Sequence, residues 1–196
     1  MSRVALVDLG YGNIGSVAVA FERLGANVER TCDPAAIRAA PRVVLPGVGA
    51  AGHAMAAITR LGLRDVLRRL SQPLLGICLG MQLLFERSEE GDADLLGILP
   101  GTVETMAGTR AAPVPHMGWS RLAVSSPERA LGLADGDYVY FAHSYVCPRG
   151  PDVAAAAEHG RSVPAVVARD NFRGVQFHPE RSGAVGARVL EAFLRC

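Results

Sequence analysis

The first half of the chain is built on a repeating unit: a short apolar run, a tight turn, then apolar residues at helical spacing. Val4-Ala5-Leu6-Val7-Asp8 runs into Gly10-Tyr11-Gly12-Asn13, Arg42-Val43-Val44-Leu45 runs into Pro46-Gly47-Val48-Gly49, and Pro73 to Cys78 leads to a helix beginning near Leu79. Unbroken apolar runs belong to strands buried on both faces, and their alternation with helices implies a parallel sheet covered on both sides. Val17, Phe21 and Leu24 share a helix face that Gly25 closes. Ala26 to Cys32 fits a second strand, and Asp33-Pro34 fits an N-cap followed by proline at the first helical position. After the turn at 46–49, Leu63, Val66, Leu67 and Leu70 mark the inward stripe of the next helix.

The second half is richer in short strands: Thr102-Val103-Glu104, Tyr138-Val139-Tyr140-Phe141, Ala165-Val166-Val167-Ala168 and Gly174-Val175-Gln176-Phe177. A final helix carries Val189, Leu190, Phe193 and Leu194. The expected fold is α/β: a three-layer sandwich with a central mixed, mostly parallel sheet that turns antiparallel at one side. A length of 196 residues suits one domain over 1–196, because a core of that size needs no metal or disulfide support. In such sheets chemistry gathers at the C-terminal ends of the strands, and the motifs below fall there.

Charge and composition exclude several classes. With 20 Lys+Arg against 19 Asp+Glu, the formal charge of +1 argues against nucleic acid or an anionic membrane as the main partner. No apolar run is long enough to cross a bilayer, and Met1-Ser2-Arg3-Val4 lacks the layout of a secretory signal; a cytoplasmic protein is expected. All 20 basic residues are arginines, so Schiff-base chemistry, pyridoxal phosphate anchoring and a Walker-type phosphate loop, which need a lysine amine, are out. Cys32, Cys78, Cys147 and Cys196 form no CxxC pair and signal neither zinc nor a disulfide framework.

One cysteine stands apart. In Gly76-Ile77-Cys78-Leu79-Gly80 a strand ends at the cysteine and a helix begins directly after it. Glycine two residues to either side is the pattern of a nucleophile held on a sharp strand-to-helix turn, with cysteine in place of serine. The helix N-terminus favours the thiolate, the reactive form. The other three cysteines lack this context and are expected to be inert core residues.

A cysteine nucleophile needs a base, and the base an orienting group. His53 and His159 lie in Ala/Gly-rich stretches and are expected to be surface or helix residues, the sequence offering His159 no evident partner. His178 follows a strand and precedes Pro179-Glu180. Proline biases the residue before it towards extended backbone, so His178 and Glu180 project the same way and the carboxylate can hold the imidazole. Acyl transfer also needs backbone donors for an oxyanion: the N–H of Leu79, and a second from Gly47-Val48. The glycines at 47, 49 and 52 fit a close backbone approach there.

Two of these stretches, Gly76-Ile77-Cys78-Leu79-Gly80-Met81-Gln82-Leu83-Leu84-Phe85-Glu86 and Gly174-Val175-Gln176-Phe177-His178-Pro179-Glu180-Arg181-Ser182-Gly183, resemble the signatures of class I, triad-type glutamine amidotransferases. Asp8-Leu9-Gly10-Tyr11-Gly12-Asn13-Ile14, Pro46-Gly47-Val48-Gly49, Pro115-His116-Met117-Gly118-Trp119 and Tyr140-Phe141-Ala142-His143-Ser144-Tyr145 narrow the resemblance to the glutaminase subunits of imidazole glycerol phosphate synthases. The resemblance implies a flavodoxin-like sandwich, no cofactor, and hydrolysis of L-glutamine through a cysteinyl thioester. The ammonia would pass to a (β/α)8-barrel cyclase partner of histidine biosynthesis. It implies Cys78, His178 and Glu180 as nucleophile, acid/base and orienting carboxylate. Gln82, Glu90, Ser144 and Tyr145 would hold the substrate, with Glu90 on its α-ammonium. Trp119, His116 and Arg181 would lie at the partner interface.

Two positions depart from the family's common pattern: Arg181 stands where lysine is usual after His-Pro-Glu, and Ser120 where asparagine is usual after Gly-Trp. Arginine keeps lysine's charge but not its geometry. Two other enzyme readings stay open on the residues: the amidotransferase subunit of a different synthase, and a stand-alone cysteine hydrolase of γ-glutamyl conjugates. A regulatory binding protein with a decayed site fits poorly with an intact Cys78, His178 and Glu180.

Overall fold

The computed structural model describes residues 2–10, 12 and 14–196. Tyr11 and Asn13, in the first glycine turn, lie outside the described residues. The elements of the first half are β1 (Arg3–Val7), α1 (Ile14–Arg23), β2 (Asn27–Thr31), α2 (Pro34–Ala39), β3 (Val43–Gly47), α3 (Ala51–Arg60), α4 (Arg64–Arg68), β4 (Leu74–Cys78) and α5 (Leu79–Gln82). There follow β5 (Arg87–Ser88), β6 (Ala93–Asp94), β7 (Thr102–Thr105), β8 (His116–Val124), β9 (Tyr138–His143), β10 (Tyr145–Val146), β11 (Val153–Glu158), β12 (Ser162–Arg169), β13 (Phe172–Val175) and α6 (Gly183–Leu194).

Among the described residues the main sheet runs β2-β1-β3-β4-β13-β12-β11-β8-β9. From β2 to β13 every pairing is parallel, and from β13 to β9 every pairing is antiparallel. The antiparallel part is thus as wide as the parallel one, and the sheet is mixed in equal parts rather than mostly parallel. Single-sequence reading misses this because an antiparallel strand buried on both faces carries the same unbroken apolar run: β12 is buried from Val163 to Ala168. The consequence matters for the site. β4 and β13, which carry the two signatures, are direct neighbours in the middle of the sheet, with Ile77 opposite Val175.

Period-two alternation sends neighbouring strand residues to opposite layers. Val7, Val43, Leu45 and Leu74 join a core with α3 and α4, around Ile58 and Leu67. Leu6, Val44, Leu75 and Ile77 face the other way and pack with α1 and α6, where Phe21 and Phe193 meet edge to face at 6.3 Å. These are the expected three layers. Asp33 caps α2, its carboxylate accepting from the N–H groups of Ala35 and Ala36, with Pro34 in the first turn.

Two expectations are revised. The helix after the turn at 46–49 is broken into α3 and α4, because Gly62 takes a left-handed φ of 67°; Leu63 caps α4 and Leu70 lies beyond its end, although both are buried with Val66 and Leu67. The described residues also form a second, small sheet, β10-β7-β5-β6, whose strand β5 follows α5 in the chain. Its β7 was anticipated at Thr102-Val103-Glu104, whereas the two-residue β5, β6 and β10 are too short to show a period in the sequence.

Candidate active site

Cys78 is the last residue of β4 and the N-cap of α5, with φ 54° and ψ −111°. A non-glycine residue in this region is strained, and such strain persists only where surrounding packing enforces it. The glycines explain how. A Cβ on Gly80 would sit 1.8 Å from the carbonyl oxygen of Leu45, and one on Gly76 would sit 2.4 Å from that of Gly80. The turn is sharp because backbone packs on backbone at both positions. Gly47, paired with Cys78 in the sheet, is equally close: its Cβ would meet that of Leu79 at 2.9 Å. At Gly49 and Gly52 nothing lies within 4 Å. The close approach anticipated for all three therefore belongs to Gly47 alone; Gly49 is required by its φ of 85°.

His178 emerges just past the end of β13 and is fixed from several sides. Its backbone N–H donates to the carbonyl of Tyr140 at 2.9 Å. Ser182, buried at the start of α6, donates its hydroxyl to the carbonyl of His178 at 2.7 Å and accepts the N–H of Tyr140 at 3.0 Å. The ring's Nδ1 lies 2.9 Å from Oε1 of Glu180, and the Glu180 side chain is 7% exposed. Burial works against the imidazolium, but hydrogen bonding to the Cys78 sulfur and to Glu180, with attraction to both, outweighs it and raises His178 to about 10. A histidine so placed beside a cysteine is the arrangement in which an imidazole serves a thiol nucleophile as acid and base.

These side chains open on one cleft of about 390 Å³, within the range of small-molecule sites. Cys78, Leu79, His178, Glu180 and Arg181 line it together with Val48, Gly49, Gln82, Glu90, Ser144 and Tyr145. Residues spread over a hundred positions of sequence are thereby brought together. Gly47 lines the adjoining recess with Val48, His178 and Glu180.

Gln82 is buried, donating from Nε2 to Gln176 Oε1 at 3.0 Å and to the Tyr145 carbonyl at 3.5 Å. Glu90 accepts the N–H of Ala51, the first residue of α3, through Oε2 at 2.7 Å. Sequence reasoning missed Gln176, wholly buried with its Nε2 3.8 Å from the Cys78 sulfur. The signal was present: Gln176 stands within the stretch 174–183 that carries His178 and Glu180, directly after the end of β13 at Val175. His143 and Tyr140 also line the cleft without having been expected there.

Other expectations are corrected. His116 was anticipated at an interface, yet it is only 1% exposed, at the start of β8 with its ring packed against Phe141 and His143 of β9. It faces inward because strand alternation gives the surface to its neighbours: Met117, Trp119 and Tyr138 are exposed at 62%, 55% and 53%. His159 has partners after all, stacking on His116 at 4.0 Å and contacting the Pro113 carbonyl through Nε2 at 2.8 Å. Cys147 is buried, with its thiol pKa pushed up by burial and by nearby Cys78, as an inert core cysteine should be. Cys32 and Cys196 are instead exposed. Among the described residues no group of three or more His, Cys, Asp or Glu could hold a metal ion.

Trp119 pairs with Tyr140 and Met117 with Ala142 across the β8–β9 ladder, so each pair shares a face. Tyr140 and Ala142 line the cleft. The exposed apolar face is therefore continuous with its mouth.

Comparison with known proteins agrees with this architecture. The family model described as glutamine amidotransferase class-I matches residues 5–195. The chain is 49% identical over 195 residues to "Imidazole glycerol phosphate synthase subunit HisH" of Xanthomonas axonopodis pv. citri, covering 99% of this chain and 98% of that one. It is 45% identical to the protein of the same name from Shewanella oneidensis, over 98% and 95% of the two chains. Among solved structures, a glutamine amidotransferase superposes with a TM-score of 0.76 at 22% identity, over 98% and 97% of the chains. The glutaminase domain of a Trypanosoma brucei CTPS does so at 0.67 and 17% identity, covering 100% and 94%; these last two speak for the fold. A strained cysteine turn, a histidine–glutamate pair just past the end of the adjacent strand, and a family match over nearly the whole length converge: this chain belongs to the class-I glutamine amidotransferases.

Proposed function

We propose that the protein hydrolyses L-glutamine to glutamate and ammonia as the glutaminase subunit of imidazole glycerol phosphate synthase, in histidine biosynthesis. The observation that carries the reaction is the left-handed Cys78 at the head of α5, in one cleft with the His178–Glu180 pair. In this reading residues 1–196 act as one amidotransferase domain. The Cys78 thiolate attacks the side-chain carboxamide carbon, and the N–H groups of Leu79 and of the Gly47-Val48 turn receive the oxyanion. As the C–N bond breaks, the imidazolium of His178 gives its proton to the nitrogen and ammonia leaves, producing a γ-glutamyl thioester. Water then attacks the thioester carbon, yielding its proton to His178. The C–S bond breaks, glutamate leaves and the thiolate is restored. Glu180 holds the imidazole so that Nε2 faces the sulfur.

Glu90 is positioned to pair with the substrate's α-ammonium, its second carboxylate oxygen being anchored by Ala51. Gln82, Ser144 and Tyr145 line the same cleft. Ammonia is useful only if received unprotonated, which calls for a synthase directly against the cleft. The apolar face of Met117, Trp119 and Tyr138, continuous with the mouth of the cleft that Arg181 also lines, supports docking there. That partner is a (β/α)8-barrel cyclase, which uses the ammonia to form imidazole glycerol phosphate and aminoimidazole carboxamide ribotide. Both would work in the cytoplasm; among the described residues no helix is long and apolar enough to cross a membrane.

Incubating the chain and the cyclase with labelled glutamine and quenching in acid tests the reading. Label should appear as a thioester on Cys78. Its absence, with no glutamate released by the complex, would refute the assignment.

A further inference from the structure

Beneath the apolar face, four polar groups form an unbroken line. The Ser120 hydroxyl lies 2.8 Å from Nε2 of His116, Nδ1 of His116 lies 3.0 Å from Nε2 of His143, and Nδ1 of His143 lies 2.7 Å from the carbonyl oxygen of Tyr145. That same carbonyl accepts from Gln82, whose amide bonds to Gln176, whose amide in turn reaches the Cys78 sulfur. We infer that Ser120, His116 and His143 are a hydrogen-bond relay of fixed direction that positions the Tyr145 carbonyl, and through it Gln82, for the grip on glutamine. The inference rests on the glutaminase reading and adds positioning residues to it.

The direction follows from donor and acceptor counting. A carbonyl can only accept, so His143 carries its proton on Nδ1, and its Nε2 must accept when the ring is neutral. His116 then donates from Nδ1 and accepts on Nε2, where the Ser120 hydroxyl supplies the proton. Both rings are held neutral. Burial, then the proximity of His143 and His159, takes His116 down to about 3. Burial also dominates at His143, where the Tyr145 carbonyl favours protonation but His159 and His178 oppose it, leaving the group at about 4. A second proton on His143 would set one N–H against another between the rings. His116 is further fixed by stacking on Phe141 at 4.5 Å. At the far end, both N–H bonds of the Gln82 amide are committed inward, so Oε1 is the atom Gln82 can offer to a substrate N–H.

The test uses the complex with the cyclase. His116→Phe keeps the aromatic stack but removes the donor to His143; His116→Asn restores an N–H near the position of Nδ1. The expected result is that His116→Phe raises KM for glutamine about five- to tenfold with a smaller change in kcat, as loss of one buried hydrogen bond implies, and that His116→Asn recovers most of it. Nitrogen NMR of the imidazoles should show His116 and His143 as neutral Nδ1–H tautomers at pH 7. An unchanged KM in His116→Phe, no recovery in His116→Asn, or an Nε2–H or protonated ring at either position would overturn the relay. Wild-type complex that releases no glutamate would instead overturn the glutaminase reading, while the NMR result would still decide the relay.

Discussion

Nδ1 of His178 and Oε1 of Glu180 lie 2.9 Å apart, His178 in the extended conformation that the following proline favours and Glu180 in the 3-10 turn Pro179–Arg181 that it opens. With the Cys78 sulfur on the other side, this raises the imidazole from 6.5 to about 10. The sign of the linked stability follows. A group whose folded pKa is raised stabilises the fold fully below its unfolded value, and that contribution disappears as pH rises through the folded one. The wild type should therefore exceed His178→Asn in urea midpoint near pH 6, and the gap should narrow between pH 6.5 and about 10. A gap that widens with rising pH would contradict the ion pair.

Glu90→Gln should weaken substrate binding selectively. If the carboxylate faces the α-ammonium of glutamine, its loss removes a charged hydrogen bond worth roughly 1.5–3 kcal/mol. Steady-state assay of glutamate release should then show KM raised roughly ten- to a hundredfold, with kcat changed much less.

The glycines divide into two kinds that denaturant titration can separate. Gly80→Ala puts a methyl group 1.8 Å from the Leu45 carbonyl oxygen and should cost on the order of 3–5 kcal/mol and all activity. Gly52→Ala, in α3 with nothing within 4 Å, should be neutral or stabilise by about 0.4–1 kcal/mol.

Val48 is 39% exposed at the rim of the cleft. A partner pressing on the Gly47-Val48 turn can set its N–H for the oxyanion. The isolated chain should release glutamate roughly tenfold or more slowly than the complex with the cyclase and its ligand. Equal rates would remove this gating.

Trp119, 55% exposed among Met117 and Tyr138, should contribute to docking and little to folding. Trp119→Ala should weaken cyclase binding by about 2 kcal/mol, close to thirtyfold in Kd, while leaving the urea midpoint of the free chain nearly unchanged. Titration calorimetry and unfolding curves give the two numbers separately.

Much of the site was legible before any coordinates because its constraints are local. Gly76 and Gly80 must be glycine to let backbone meet backbone, Pro179 must straighten the chain at His178, and Glu180 must stand two residues on. Gln176 stands in the same stretch, directly after β13, and was overlooked. What could not be read was pairing at a distance. Nothing near Leu63 announces that Gly62 breaks its helix, since a left-handed glycine looks the same in sequence as a helical one. Nothing near His116 says that His143 lies opposite, because register between β8 and β9 is fixed by the packing of a whole sheet.

The sequence by itself determined the alternating layers, the strained cysteine turn and the histidine–glutamate pair, since each depends on a handful of adjacent residues and on steric rules that act within them. Only the tertiary structure decided that β4 and β13 are neighbours, that half the sheet is antiparallel, and that Ser120 communicates with Tyr145 through two buried rings. Those outcomes depend on which apolar faces find one another, and a run of valines and alanines is compatible with many partners until the complete core selects one.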